Sequence, residues 1–135
     1  MELGEQRVDP KLREEGAWVS DIPEMGDLRL KVRGANNKAW EKRQDALIAA
    51  VPRKMRIKGL DPSERRRINA ICCRDHGLID WENLNIDGVA VPYSKEKANE
   101  LLTDPQWAMF HDAAIWACNV VGTQMRAEVE EDAGK

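Results

Sequence analysis

The 135-residue sequence has one phenylalanine, one tyrosine and two histidines. Its three cysteines are an adjacent pair, Cys72 and Cys73, and a distant Cys118. That spacing gives no disulfide framework. Nor does it suit zinc, because adjacent cysteines on a helix point about 100° apart and cannot easily converge on one ion. His76 and His111 complete the list of soft ligands. His76 suits the C-terminal end of a helix better than a metal. No apolar run approaches the ~18 residues of a membrane span. Met1 to Gln6 lack the basic-then-apolar order of a signal peptide. A cytoplasmic protein without membrane association is expected. The nine glycines form neither a P-loop nor Gly-x-Gly-x-x-Gly, and no Gly-x-Ser-x-Gly occurs. Ser63 and Ser94 read as helix caps. A thiol inside an apolar helical stripe is usually inert. No enzyme, metal or cofactor is expected.

What is present is charge and tryptophan. Charged residues make up 33% and apolar ones 42%, with five Trp. The charge is segregated. Residues 29–74 carry fourteen Lys and Arg against four acids, and the rest carry seven against twenty. Separation of this kind suggests electrostatic choice of a partner or self-association.

The pattern predicts an α+β domain, mainly helical, with about four helices and two short β-hairpins. Residues 1–15 read as a flexible arm, 16–126 as one domain and 127–135 as an acidic tail. Ala17-Trp18-Val19 and Leu28 to Arg33 form the first hairpin, since the second run alternates apolar and basic residues. Its inner face is Leu28, Leu30 and Val32, leaving Arg29, Lys31 and Arg33 to solvent. Asn36 or Asn37 caps a helix over 38–51, with Trp40, Leu47, Ala50 and Val51 on one face. Asp61-Pro62 starts a helix to His76 with Ile68, Ile71 and Cys72 inward, and Gly77 serves as its left-handed stop. Asp87-Gly88 turns a second hairpin, from 78–84 to 89–91. Ser94 caps a short helix over 95–102, and a longer one runs from Pro105 to about Glu131. Trp18, Trp40 and Trp81 are assigned to the core.

The last helix carries two apolar stripes. One is Trp107, Phe110, Ala114, Cys118, Val121 and Met125, and the other is Met109, Ala113, Trp116 and Val120. That arc is wider than one surface helix needs. Such a helix is either central to the core or packs against a second molecule.

Several short motifs fall in a recurrent order. Gly16-Ala17-Trp18 leads to Val32-Arg33-Gly34-x-x-Asn37 and Trp40. Gly77-Leu78-Ile79-x-Trp81-Glu82-Asn83-Leu84, Asp87-Gly88 and Val91-Pro92-Tyr93-Ser94-Lys95-Glu96 follow. Ala98, Leu101-Leu102-x-Asp104-Pro105 and the long Trp-containing helix close the series. Over about residues 16–120 this resembles the tail assembly chaperones of long-tailed bacteriophages and prophages. The resemblance implies a non-enzymatic protein of the host cytoplasm, absent from the mature virion. It would bind and solubilise the tape-measure protein during tail morphogenesis. It also implies that a frameshifted longer product recruits the tail-tube protein.

A chaperone needs more apolar surface than its own core consumes. Trp107, Phe110 and Trp116 are therefore the candidate client-binding residues, although a stripe of this kind usually faces a core. Arg65, Arg66 and Arg67 form a candidate basic patch for self-association or partner contact, the plainer reading being a solvated face. A small structural tail or head–tail connection protein is the next reading. A nucleic-acid-binding regulator using the basic 53–67 region is the third. The negative total charge and the absence of a known motif count against nucleic acid.

Overall fold

The computed structural model describes residues 1–124. Five α-helices surround a three-stranded antiparallel sheet, with a small two-stranded sheet beside it. This is the expected α+β class, with one helix more.

The extra helix is α1, Pro10–Glu15, capped by the Asp9 side chain on the Lys11 amide. The Arg13 carbonyl accepts from Gly34 N–H, and Arg33 Nε donates to the Glu14 carbonyl at 3.0 Å. Residues 10–15 are thus tied to the domain rather than forming a loose arm. Their mixed charges hid this, since only Leu12 of α1 packs against the core.

Strands β1 (Ala17–Val19) and β2 (Arg29–Val32) pair antiparallel, with Val19 opposite Leu30. Leu28, Leu30 and Val32 are buried, as the alternation predicts. The basic residues between them are half-buried rather than free. The Arg29 guanidinium lies 4.9 Å over the Trp18 ring and 2.7 Å from Glu82. Trp18 therefore sits on the outer face of the sheet, half-buried, and is not a core residue.

Helix α2 (Lys38–Ala49) begins at Asn37, whose Oδ1 accepts from the Trp40 amide at 2.8 Å. Trp40 and Val51 are buried, but Ala50, the C-cap residue just past α2, is exposed. A 3-10 turn, Arg53–Met55, leads to α3 (Pro62–His76). The Asp61 carboxylate caps α3 and accepts from Ser63 N–H and Oγ–H. Ile68 and Cys72 are buried; Ile71 is only half-buried. Gly77 is not left-handed, its φ being −122°. It is needed for space: a Cβ there would lie 2.7 Å from Trp40 Cζ3 and 3.1 Å from Cys118 Sγ.

The strand after Gly77 corrects the second hairpin. Strand β3 (Leu78–Glu82) pairs with β2, giving the order β1-β2-β3. The Asp87-Gly88 turn joins β4 (Asn85–Ile86) to β5 (Val89–Ala90) instead. Both turn residues have positive φ, 51° and 80°, as a type I′ turn requires. The turn was legible, but not which strand it served. Leu78 and Trp81 are drawn to β2 because their apolar face continues that of Leu30 and Val32.

Helix α4 (Lys95–Thr103) is capped by Ser94. A 3-10 turn, Pro105–Trp107, passes into α5 (Ala108–Thr123). The expected extension of this helix to Glu131 lies outside the described residues. Helix α5 packs on β1 and β2 and against α1, α3 and α4, so it is central. No described helix is long and apolar enough to cross a membrane.

Candidate functional site

Helices α3 and α5 lie side by side and run in the same sense. Arg66 reaches Ala108 and Asp112 near one end, and Cys73 meets Cys118 near the other. Between their outer edges runs a groove of about 550 Å³. Pro62, Arg65 and Arg66 line it from α3; Ile115, Trp116 and Asn119 line it from α5.

The three candidate apolar residues divide. Phe110 is 4% exposed and meets the Trp81 ring edge-to-face at 5.7 Å. It belongs to the core and offers no surface. Trp107 is half-buried and packed against the core. Its indole N–H is buried without a hydrogen-bond partner. Trp116 is 38% exposed, and Met109, on the same stripe, is 61% exposed. The second stripe is therefore open at Met109 and Trp116, while its Ala113 is buried in the core and Val120 is half-buried. Met109 was legible as a member of that stripe, but its exposure depends on which neighbours α5 acquires.

The basic candidates also divide. Arg66 donates to Asp112 Oδ1 at 3.1 Å, and Arg67 donates to Glu64 at 2.6 Å. The Arg65 side chain has no ion pair or side-chain hydrogen bond among the described residues. Arg65 and Arg66 share the groove with Trp116; Arg67 lines a neighbouring cleft. The structure thus joins two candidate sets that the sequence held apart by some fifty positions.

The groove continues in both directions. Trp116 and Asp112 also line a cleft of about 220 Å³ against Met109 and the Ile22–Met25 turn. Pro62 also lines one of about 380 Å³ with Lys54, Lys58 and the exposed Ile57. A cationic end therefore passes through Trp116 to an apolar end.

Cys72, Cys73 and Cys118 are buried. Burial pushes the Cys72 thiol up to about 11 and raises Cys118 as well, so neither is a ready nucleophile. Among the described residues no group of His, Cys, Asp and Glu is placed to hold a metal. Buried His111 keeps Nδ1 3.1 Å from the Leu102 carbonyl, where a neutral ring donates. Burial lowers its pKa. A separate cleft of about 430 Å³ holds Arg33, Arg74 and Lys95. There Arg74 is closed on both Asp75 oxygens at 2.8 and 2.9 Å, and Arg33 on the Glu14 carbonyl.

The family model for the YdaY prophage protein matches residues 35–135, which include α3, α5 and the groove between them. No curated protein and no solved structure matches the chain.

Proposed function

The chain belongs to the YdaY prophage protein family, and on that premise we propose that it is a tail assembly chaperone. In this reading it is a non-enzymatic protein of the host cytoplasm that binds and solubilises the tape-measure protein. The motif order over residues 16–120 supports the reading. So does the open stripe of α5, the observation that carries it. Trp116 and Met109 stay exposed on the most central helix, beside an unpaired arginine. A domain with no partner gains by covering such residues, because large exposed side chains cost about 25 cal/mol per Å² of apolar surface left in water.

Co-expression with the tape-measure protein of the same prophage tests this. The client should co-elute in soluble form and be insoluble alone. A Trp116→Ala, Met109→Ser double variant should lose it. A soluble client that never binds would overturn the reading, and recovery of the protein in purified virions would favour a structural tail component.

A further inference from the structure

We infer that the α3–α5 groove seats one short amphipathic helix of a partner protein. That helix is apolar along the seam that meets Ile115 and Trp116. It carries carboxylates on the flank that meets Arg65 and Arg66. The inference deepens the chaperone reading by naming the kind of client segment recognised.

The lining positions give the shape. On α3 they are 62, 65, 66 and 69; on α5 they are 111, 112, 115, 116 and 119. Both sets repeat every three or four residues, so each helix presents successive turns along one edge. Two parallel helix edges with a channel between them are the seat a third helix takes, its ridges entering both grooves. The α5 stretch spans about 12 Å, room for roughly two turns of contact.

The lining gives the chemistry. Half-buried Ile115 and exposed Trp116 make the apolar side. Arg65 faces the groove with its charge unanswered, whereas Asp112 already holds Arg66. His111 is committed to the Leu102 carbonyl. A carboxylate beside Arg65 completes a pair and leaves Arg66 in place. A cationic helix would meet two guanidinium groups. An anionic polymer such as RNA needs a row of free cations. Here Arg66 is paired with Asp112 and Arg67 with Glu64, so among the described residues Arg65 is the unpaired cation of the groove itself, and Lys54 and Lys58 lie in the separate cleft beyond Pro62. The cleft beyond Trp116 adds Met109 and Met25 as apolar contacts at one end and also holds Glu24 and Asp112, so the carboxylates of the docked helix belong toward Arg65.

The test uses the full chain and three synthetic helices of about 15 residues. The first has a leucine seam and a glutamate flank. The second replaces glutamate by lysine, and the third replaces leucine by serine. Binding is read from the fluorescence anisotropy of dye-labelled peptide, and in the unsubstituted chain a blue shift of tryptophan emission reports that Trp116 leaves water on docking. The first peptide should bind and the other two at least about tenfold more weakly. Trp116→Ala and Arg65→Glu should each raise its Kd about tenfold. Arg65→Glu changes only an exposed side chain, so it reports even if Trp116→Ala perturbs folding. Equal binding of the lysine peptide, or none by the glutamate peptide, would sink the inference. Displacement by polyuridylate would overturn it in favour of RNA. Light scattering that shows a dimer dissolved by Arg65→Glu would assign the groove to a second copy instead. Co-elution of the tape-measure protein without peptide binding would leave the chaperone reading standing and remove this seat. Peptide binding without co-elution would do the reverse.

Discussion

The two stripes of α5 read almost alike in the sequence, yet most of one is enclosed and the two large residues at 109 and 116 of the other are exposed. Phe110, Ala114, Cys118 and Val121 are enclosed by the sheet and the other helices. Met109 and Trp116, one residue back and two residues on from that face, look outward. Ala113, between the two groups on the helix surface, is buried, and Asp112 and Asn119, beyond Trp116, are exposed. The difference shows that width of an apolar arc signals a central helix and a binding helix at once. Here the helix is central, its outer face is the one proposed to bind, and only the packing of its neighbours tells the faces apart.

The comparison breaks most visibly at Phe110. Truncating a buried aromatic side chain removes its packing and leaves a cavity, at a cost of about 3–5 kcal/mol. Phe110→Ala also deletes the edge-to-face contact with Trp81. Its melting temperature should fall further than that of any surface variant discussed below. A loss no greater than that of Trp116→Ala, in the same denaturation series, would erase the distinction between the stripes.

Gly77→Ala probes the closed face from the other side. The added methyl would meet Trp40 and Cys118, and the Cys73 Cα at 3.1 Å. Overpacking of this kind costs about 1–3 kcal/mol. If a left-handed backbone were the reason for glycine, asparagine would restore stability there. At a φ of −122° it should not, because asparagine is larger than alanine. Urea midpoints of the two variants decide between the explanations.

Local signals were the legible ones. Asn37, Asp61 and Ser94 cap their helices as their side chains predict, and Asp87-Gly88 turns where it should. Leu28, Leu30 and Val32 were readable from alternation alone. What failed depended on partners distant in the chain. Strand β3 chose β2 over its neighbour, and Trp18 found Arg29 on the outer face. The role of Gly77 is set by Trp40 and Cys118, dozens of residues away on each side. The groove was legible only in halves. Trp116 and the arginine run both stood out, but nothing local said that α3 and α5 would lie together. Phe110 and Trp116 stand together as binding candidates although they fall on different stripes, because helical periodicity gives faces without saying which one is covered.

His111 marks the border between the faces: it is buried, yet it lines the groove beside exposed Asp112. Its folded pKa lies below the ordinary value because burial disfavours the charged ring. The unfolded chain therefore takes up the proton first. The stability His111 provides is complete above about pH 6.5 and falls as the pH drops through that value. One proton limits the slope to about 1.4 kcal/mol per pH unit. Asp75, held low by its hydrogen bond from Arg74, acts below that window. His111→Asn should flatten the stability profile between neutral and mildly acidic pH. An unchanged profile would mean that the ring is not buried as a neutral donor.

The smallest expected effect belongs to the open stripe and is the most informative for function. Met109→Ser and Arg65→Glu alter side chains that the fold does not enclose, so each should shift stability by only about 0.5 kcal/mol. Trp116→Ala loses some contact along the groove edge and should cost about 1 kcal/mol, well short of Phe110→Ala. A chain under selection for stability alone gains little from a methionine and a tryptophan in these positions, because polar residues would serve the same helix as well. A partner that covers them, as proposed above, would account for their presence. Variants that keep the melting temperature and lose client co-elution would show that the second stripe serves binding. Variants that unfold the chain would return Met109 and Trp116 to the core, and the groove would lose its apolar wall.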